Sequence, residues 1–583
     1  MLLLLLLLVS APLSSVGRCP AQCSCALRLG RKEVYCARGG LTRLPTPDID
    51  PNTHSLEVVP AAGEPPNNLT LGRIFLKLTS LESIHIENSG IPAIGDASFW
   101  PGRRLRRLLL PKNKISFLRE SDFSGLKGLK ELDLSSNQIS ASPSAPFRHL
   151  PSLKILRLQD NNLQSLAPRF FYLLHQLEEL DLSGNPLQSL APEDVQDVGR
   201  LRVLRLARCG LRSPGLHPTA QQRVPLLEEL DLRGNPRLRT LAPAEFRHLR
   251  RLARLRLDGC GLAAVPEGAF HGHAFQELGL SRNELTSLSE KAFLNCSTRL
   301  LDLSHNRLEW AGQDTTRPLG PALIELDLSH NALGAEALAA LIRPLHQLDI
   351  LRAAHLSRLD HLESGSFSSS LRLLDLSNNA LSSLEGAGLP DSLEELDLRG
   401  NAFAHLTVNE VEALENLTSL RILRLGMNPF DCSGCVVAPL FHALNGSALS
   451  NCSEEEACPS CRLPPDVEGR QVRSLLPEEL YCHMGSYDRH HLAHTSRVGL
   501  IVAVAIIVTI VCVIVGIVFV YRRHIAHYYT HEEEQRAWKG MYENPAHPLR
   551  CANDDKPTFI ATPDKVDENI DDLRRPPPSS IMR

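Results

Sequence analysis

The chain is 583 residues long, with 62 lysines and arginines against 66 aspartates and glutamates and a formal net charge of -4 at pH 7. A charge that nearly cancels provides no global field for a polyanion, so no nucleic-acid partner is expected. With 43% hydrophobic residues the chain as a whole is not disordered, 36 glycines are too few for collagen, and the about four domains implied by length alone are not delimited by anything in the sequence.

Taken from the N-terminus, residues 2–9 form an unbroken apolar run too short to span a bilayer, and Ser15 and Gly17 place small residues two apart. This predicts a signal peptide over residues 1–17, cleaved after Gly17. Residues 18–80 hold Cys19, Cys23, Cys25 and Cys36 and a first irregular coil. From 81 to 430 the pattern L-x-x-L-x-L-x-x-N-x-L recurs about fifteen times, clearly at Leu129, Leu132, Leu134, Asn137 and Ile139, and again at Leu153, Leu156, Leu158, Asn161 and Leu163. Residues 431–483 hold six cysteines, and residues 484–497 read as a solvated stalk containing His490, His491 and His494. Residues 498–521 predict a membrane-spanning helix, because at about 1.5 Å per residue their apolar run exceeds the roughly 30 Å hydrocarbon core. Residues 522–583 form a polar tail that opens with Arg522, Arg523 and His524. All five N-x-S/T sequons, at Asn68, Asn295, Asn416, Asn445 and Asn451, precede the span and none follows it. Together these features predict a glycosylated single-pass type I protein of the cell membrane with its N-terminus outside.

Within each repeat the chemistry is legible. Alternation along a strand turns Leu132 and Leu134 inward and Glu131 and Asp133 outward. Asn137, Asn161, Asn185, Asn235, Asn283, Asn306, Asn331, Asn379, Asn401 and Asn428 recur at the turn after the strand, where an amide can satisfy backbone groups of the neighbouring coil. Phe99, Phe123, Phe147, Phe171, Val195, Phe246, Phe270 and Phe293 predict a stacked apolar spine on the other side of the coils. Cys209 and Cys260 stand where an asparagine is expected and read as buried thiol donors. The repeat at Leu348 is degenerate, with Ala353 and Leu356 in place of Leu and Asn, and is expected to kink or flatten the coil. Residues 336–342 look helical.

The pattern is the leucine-rich repeat signature. The spacing Cys19-x3-Cys23-x-Cys25-x10-Cys36 before the first coil resembles the amino-terminal cap of extracellular leucine-rich repeat proteins, and Asn428-Pro429-Phe430-Asp431-Cys432 resembles the opening of their carboxy-terminal cap. The chain resembles single-pass receptors and adhesion proteins of that family, a group with Toll-like ectodomains and neuronal adhesion proteins, but its short tail leaves no room for a Toll/interleukin receptor domain. The resemblance implies a leucine-rich repeat solenoid with a curved parallel sheet on the concave face, loops and short helices on the convex face, and disulfide-bonded caps. It departs from the family at Cys432 and Cys435, which are separated by two residues instead of one, and in having six cysteines (Cys432, Cys435, Cys452, Cys458, Cys461, Cys482) instead of four, so their pairing stays open. The two C-x2-C pairs, Cys432/Cys435 and Cys458/Cys461, also have a spacing close to that of a zinc ribbon. An oxidising compartment favours disulfides among all ten clustered cysteines, with no metal.

Outward positions of successive strands read Asp133, Arg157, Asp181, Arg205, Asp231, Arg256, an alternation of sign that predicts a ladder of opposite charges facing each other in register. The neighbouring outward position carries Ile155, Val203, Leu300, Ile350, Leu373 and Ile422, aliphatic groups expected to stand exposed within a charged rim. The face around Ile155, Arg157, Val203, Arg205, Arg256, Ile350 and Ile422 is therefore the candidate binding surface for an extracellular or cell-surface protein, with a homodimer as a further arrangement. Pairs such as Glu179/Asp181 and Glu229/Asp231 repeat with the motif on an open surface, and no nucleophile elbow, Walker loop or H-E-x-x-H occurs, so neither enzyme activity nor a cofactor is expected. In the tail, Tyr542-Glu543-Asn544-Pro545 offers Tyr542 as a phosphotyrosine docking site for cytoplasmic adaptors, and Cys512 and Cys551 are lipidation candidates. The expected function is a receptor or adhesion molecule. The alternatives are a co-receptor or decoy that sequesters a secreted ligand, and a membrane-tethered structural protein of the extracellular matrix.

Overall fold

The computed structural model describes residues 19–480, apart from 101, 141–143, 216–223, 244, 313 and 447–457, together with Ile517. The chain divides into two units, Met1–Cys482 and His483–Arg583. The first holds all the architecture described below, and of the second only the helical position Ile517 is described. Among the described residues no helix is long and apolar enough to cross a membrane. The predicted signal peptide, stalk, span (Ile517 aside) and tail, with Tyr542, Cys512 and Cys551, lie outside the described residues, as do Asn451, Cys452 and Cys482.

Three-residue strands of the type x-L-x are the building unit. In Glu131–Asp133, Ile155–Arg157 and Glu179–Asp181 the central leucine is buried and its two neighbours are half-exposed. One strand alone buries a single side chain, so the coil is stable only when stacked on its neighbours. Stacking produces an 18-stranded sheet. Its first two strands, Ser24–Arg28 and Arg31–Cys36, pair antiparallel as a hairpin, and the pairings that follow are parallel, from Arg31–Cys36 with Thr53–Val58 to Glu395–Asp397 with Ile422–Arg424. The fold is thus a leucine-rich repeat β-solenoid of about 16 turns.

The asparagine ladder forms at all ten expected positions. Asn137 is representative: its amide donates to the carbonyls of Leu110 (2.9 Å) and Leu134 (3.0 Å), and its Oδ1 accepts the Ile115 N–H at 3.1 Å. The ladder also extends three repeats further towards the N-terminus, with Asn113, Ser89 and Asn67 at its positions. Asn113 accepts from the Ser89 and Ile91 N–H groups, and Asn67 accepts from Leu41 N–H at 2.8 Å. Cys209 and Cys260 take the ladder position as buried thiols, donating to Leu182 O (3.3 Å) and Leu232 O (3.2 Å). A thiol cannot replace the amide oxygen as a strong acceptor. In the preceding repeats the chain turns inward instead, so that Leu187 N–H bonds Asn185 O at 2.8 Å and Leu238 N–H bonds Asn235 O at 3.0 Å. A proline, Pro186 or Pro236, follows the asparagine in both.

The spine is equally regular. Phe99, Phe123, Phe147, Phe171, Val195, Phe246, Phe270 and Phe293 are all buried. Phe75 extends the column by stacking on Phe99 with ring centroids 5.5 Å apart, and Phe170 packs edge-on against Phe147 at 5.5 Å. The degenerate repeat at Leu348 does not interrupt the sheet: Ile350–Arg352 pairs in continuous register with Glu325–Asp327 and with Leu373–Asp375. The expected helix is α1, Ala335–Ile342. A second, α2, Val408–Glu415, starts at a capping box in which Thr407 and Glu410 exchange hydrogen bonds, and α3 spans Gly434–Gly446.

Disulfides close the ends. Cys19 is bonded to Cys25 and Cys23 to Cys36, next to the first hairpin. At the other end Cys432 is bonded to Cys461, and Cys435 is also disulfide-bonded. The Cys432–Cys461 bond takes one sulfur from each C-x2-C pair, which is incompatible with a four-cysteine zinc ribbon. Cys458 corrects the expectation that all the clustered cysteines are oxidised: it is a free, buried thiol. The sequence offered no way to foresee this, since its spacing to Cys461 is the same as that of Cys432 to Cys435.

Candidate functional site

The outer face of the sheet is organised by two columns of side chains. Register places Asp133, Arg157, Asp181, Arg205, Asp231 and Arg256 side by side, as the alternation predicts. The contacts, however, run diagonally. Arg157 binds Glu131 at 2.6 Å and lies 3.8 Å from Glu179, Arg205 binds Glu179 at 2.7 Å and Glu229 at 3.3 Å, and Arg256 binds Glu277 at 2.7 Å. The expected Asp–Arg ladder is therefore corrected to a Glu–Arg lattice.

Side-chain length explains the difference. An aspartate carboxylate sits one carbon from Cβ and closes a turn onto the backbone two residues on. Asp133 accepts the Ser135 N–H at 2.8 Å, Asp181 that of Ser183 at 2.9 Å and Asp231 that of Arg233 at 3.0 Å, and the same contact recurs at Asp302, Asp327, Asp375 and Asp397. Glutamate, one methylene longer, remains free to meet a guanidinium on the adjacent strand. From Glu131 to Asp231, strands reading E-L-D thus alternate with strands reading I-L-R or V-L-R, each arginine reaching a glutamate on a neighbouring strand.

The aliphatic column needs a second correction. Ile155, Val203, Leu300, Ile350, Leu373 and Ile422 are half-buried instead of exposed. Ile155 stands in register between Glu131 and Glu179, and Val203 between Glu179 and Glu229, so the aliphatic groups fill the squares of the ionic lattice. Such a face is an ordered array of apolar patches separated by fixed charges, not a continuous greasy surface. The remaining predicted residues sit on the same face: Arg352 binds Glu325 beside Ile350, and Arg424 binds Glu395 beside Ile422. A hollow of about 260 Å³ opens there, lined by Arg352, Leu373, Asp375, Glu395, Asp397 and Arg424 among others.

Electrostatics distinguish the two carboxylate columns. Burial pushes the Glu131 carboxyl up, but hydrogen bonds from Arg157 and Arg107 outweigh it, and its pKa is lowered. Asp181 and Asp327 move the other way, raised by burial despite the N–H bonds from Ser183 and Ser329. Glu229 is buried and receives Arg254 at 3.0 Å as well as Arg205. Glu179, Asp181, Glu229 and Asp231 are consequently engaged in the lattice and its turns.

One feature of the face was missed in the sequence. Asp258 follows the strand Arg254–Arg256 and lies over the next one, accepting the N–H and Oγ–H of Ser281 at 2.9 and 2.8 Å. A Cβ on Gly279 would come within 2.7 Å of its carboxylate. Gly279, which looks like a break in the charge alternation, is the vacancy into which Asp258 folds. The sequence signal was a lone glycine at an outward strand position, one repeat after an aspartate two residues downstream of an arginine.

The described sequons lie off the strands of the face. Asn68, Asn295, Asn416 and Asn445 are exposed, and none lies within a strand of the sheet. Asn295 follows the spine residue Phe293, and Asn416 ends α2.

Comparison with known proteins agrees with the architecture. The "Leucine rich repeat" family models match residues 79–139, 103–163, 151–211 and 250–308, and a second of the same description matches 322–341. Among curated proteins, the chain is similar to mouse Podocan-like protein 1, with 32% identity over 194 residues that cover 32% of this chain and 29% of that protein. It is also similar to mouse Podocan, with 34% identity over 147 residues, 24% of this chain and 23% of the relative. The chain therefore spans less than a third of the length of these relatives. Among solved structures, a leucine-rich repeat protein of Leptospira interrogans has a TM-score of 0.52 at 25% identity, covering 64% of this chain and 91% of the other. The glycosylated Toll–Spatzle complex of Drosophila gives a TM-score of 0.55 at 19% identity over 80% of this chain and 77% of that chain, a likeness of fold.

Proposed function

We propose that this leucine-rich repeat chain binds a protein partner through the outer face of its sheet, as the extracellular part of a single-pass type I receptor or adhesion protein whose short tail recruits cytoplasmic adaptors. The observation that carries the reading is the Glu–Arg lattice with half-buried Ile155, Val203, Ile350 and Ile422 in its squares. Fixed charges give a partner its register, and aliphatic groups between them give it apolar area to bury. The described sequons leave this face free of strand-borne glycans. The apolar run of residues 498–521 and the one-sided sequons support the membrane-anchored arrangement, with the repeats between cysteine-rich caps at residues 18–80 and 431–483.

The test is cell binding by the purified chain carrying R157E, R205E and R256E together. The proposal predicts at least a tenfold loss of binding by a variant whose circular dichroism still reports the folded solenoid, with a melting temperature lowered because the new glutamates face Glu131, Glu179, Glu229 and Glu277. Undiminished binding by the folded variant contradicts it. Deletion of residues 530–583 separates signalling from sequestration: a tail-deleted protein that binds but gives no cellular response supports the receptor reading, and full response without the tail removes the adaptor part of it.

A further inference from the structure

His305, His330 and His355 occupy the residue before the ladder position in three successive repeats, with φ of 53°, 58° and 55°. Histidine is among the residues that tolerate this left-handed conformation. The three imidazoles stack face to face, His305 on His330 with ring centroids 4.0 Å apart and planes 10° from parallel, and His330 on His355 at 4.3 Å and 12°. Backbone bonds fix the spacing, since the N–H of each is bound by the next repeat: His305 to Ser329 O, His330 to Ala354 O and His355 to Ser377 O, at 2.8, 2.8 and 3.0 Å. All three side chains are exposed. The structure gives none of their ring nitrogens a hydrogen-bond partner among the described residues.

We propose that His305, His330 and His355 form an acid-gated docking edge for a carboxylate-rich segment of a protein partner. Neutral rings stack favourably and offer only weak, neutral hydrogen bonds outward. Protonation of neighbours 4.0 and 4.3 Å apart creates like charges on coils whose backbones are held at a fixed spacing. An anionic group bridging the ring edges relieves that repulsion, so proton uptake and ligand binding reinforce each other.

The surrounding charges leave this role open. Arg282 holds the corresponding position one repeat earlier and adds a cation to the end of the row. The carboxylates of Asp302, Asp327 and Asp375 on the adjacent strands are turned onto the backbone N–H groups of Ser304, Ser329 and Ser377 and make no ion pair with the row. Asn378, at the next such position, is neutral. Around His330, burial, then His305 and His355, disfavour the charged form more than Asp327 favours it, and the pKa is lowered. His330, at the centre of the stack, therefore favours its neutral form near pH 7.4 and takes up a proton only in acidic surroundings. The row stands at the turns beside the sheet face and needs no part of the reading given for that face.

The experiment measures binding of a fluorescein-labelled ten-residue oligoglutamate, with oligolysine as control, to the purified full chain by anisotropy at pH 7.4 and 5.5. The expected result is at least tenfold tighter oligoglutamate binding at pH 5.5, abolished in the triple variant H305N, H330N and H355N. Asparagine already occupies this backbone position at Asn378, so the fold is retained. A triple H305K, H330K and H355K variant, matching Lys112 at the same position in an earlier repeat, should bind at pH 7.4 as tightly as the parent does at pH 5.5. No acid gain in the parent, or an acid gain that survives in the asparagine variant, overturns the proposal.

Discussion

The ladder amide makes a prediction whose size can be worked out from its contacts. Asn235 is fully buried. Its Oδ1 accepts the N–H groups of Cys209 (2.9 Å) and Leu211 (3.1 Å), and its amide donates to Leu206 O (2.9 Å) and Leu232 O (2.6 Å). N235A strands two buried donors at about 1–3 kcal/mol each and weakens two carbonyls, for an expected loss of about 3–6 kcal/mol. C260A, one repeat on at the equivalent position, forfeits one weak S–H contact to a carbonyl that already receives the Asn235 amide, and should cost about 1–2 kcal/mol. Urea unfolding followed by far-UV circular dichroism gives the two losses, and hydrogen exchange at the amides of Cys209 and Leu211 localises the first. An N235A protein within about 1 kcal/mol of the parent, with those amides still protected, would refute the reasoning.

Three further outcomes follow from the packing and the titrating groups. F123A removes a fully buried ring 5.8 Å from Phe147 and should destabilise by about 3–5 kcal/mol in the same unfolding assay. Iodoacetamide without reductant should leave Cys209, Cys260, Cys296 and Cys458 unmodified in the native chain and label all four in denaturant, while Cys432 and Cys461 react only after reduction. Burial pushes the Cys209 thiol up to about 11 and the Cys260 thiol to about 12, so native protection should persist at pH 8.5; mass spectrometry reads each site. The His330 pKa is lowered in the fold, so the unfolded chain takes up its proton at higher pH and stability contributed by the neutral ring is lost as pH falls below the ordinary value of 6.5. Asp181, Asp258 and Asp327 are raised mainly by burial and act with the opposite sign at lower pH. The comparison is therefore between parent and H330N, whose melting temperature should fall less from pH 7.5 to 5.5; an equal fall excludes a titrating stack.

Periodicity makes much of this molecule legible in its sequence. A leucine at the centre of each strand, an asparagine at each turn and a phenylalanine on the far side obey a single spacing, because each side chain meets its counterpart in the next coil. Departures from the period were harder to read. Cys209 and Cys260 were recognisable as thiols at an amide position, but the compensating turns lie in the preceding repeats, where Asn185-Pro186 and Asn235-Pro236 supply the missing acceptor. The charge alternation was legible as register and misleading as contact, since sequence spacing says which side chains stand abreast and not how far each reaches. Asp turned to its own backbone and Glu to the neighbouring Arg. His305, His330 and His355 were lost among 23 histidines because their relation appears only once the repeats are stacked.

Photocrosslinking tests the central claim most directly. A photoreactive residue placed at Val203, in the lattice, and another at Arg148, on the loop side next to Phe147, should differ sharply when the chain is exposed to partner-bearing cells. The sheet-face account predicts a discrete protein adduct at Val203 that R157E, R205E and R256E abolish, and none at Arg148. An adduct at Arg148 alone, unaffected by those charge reversals, would contradict it.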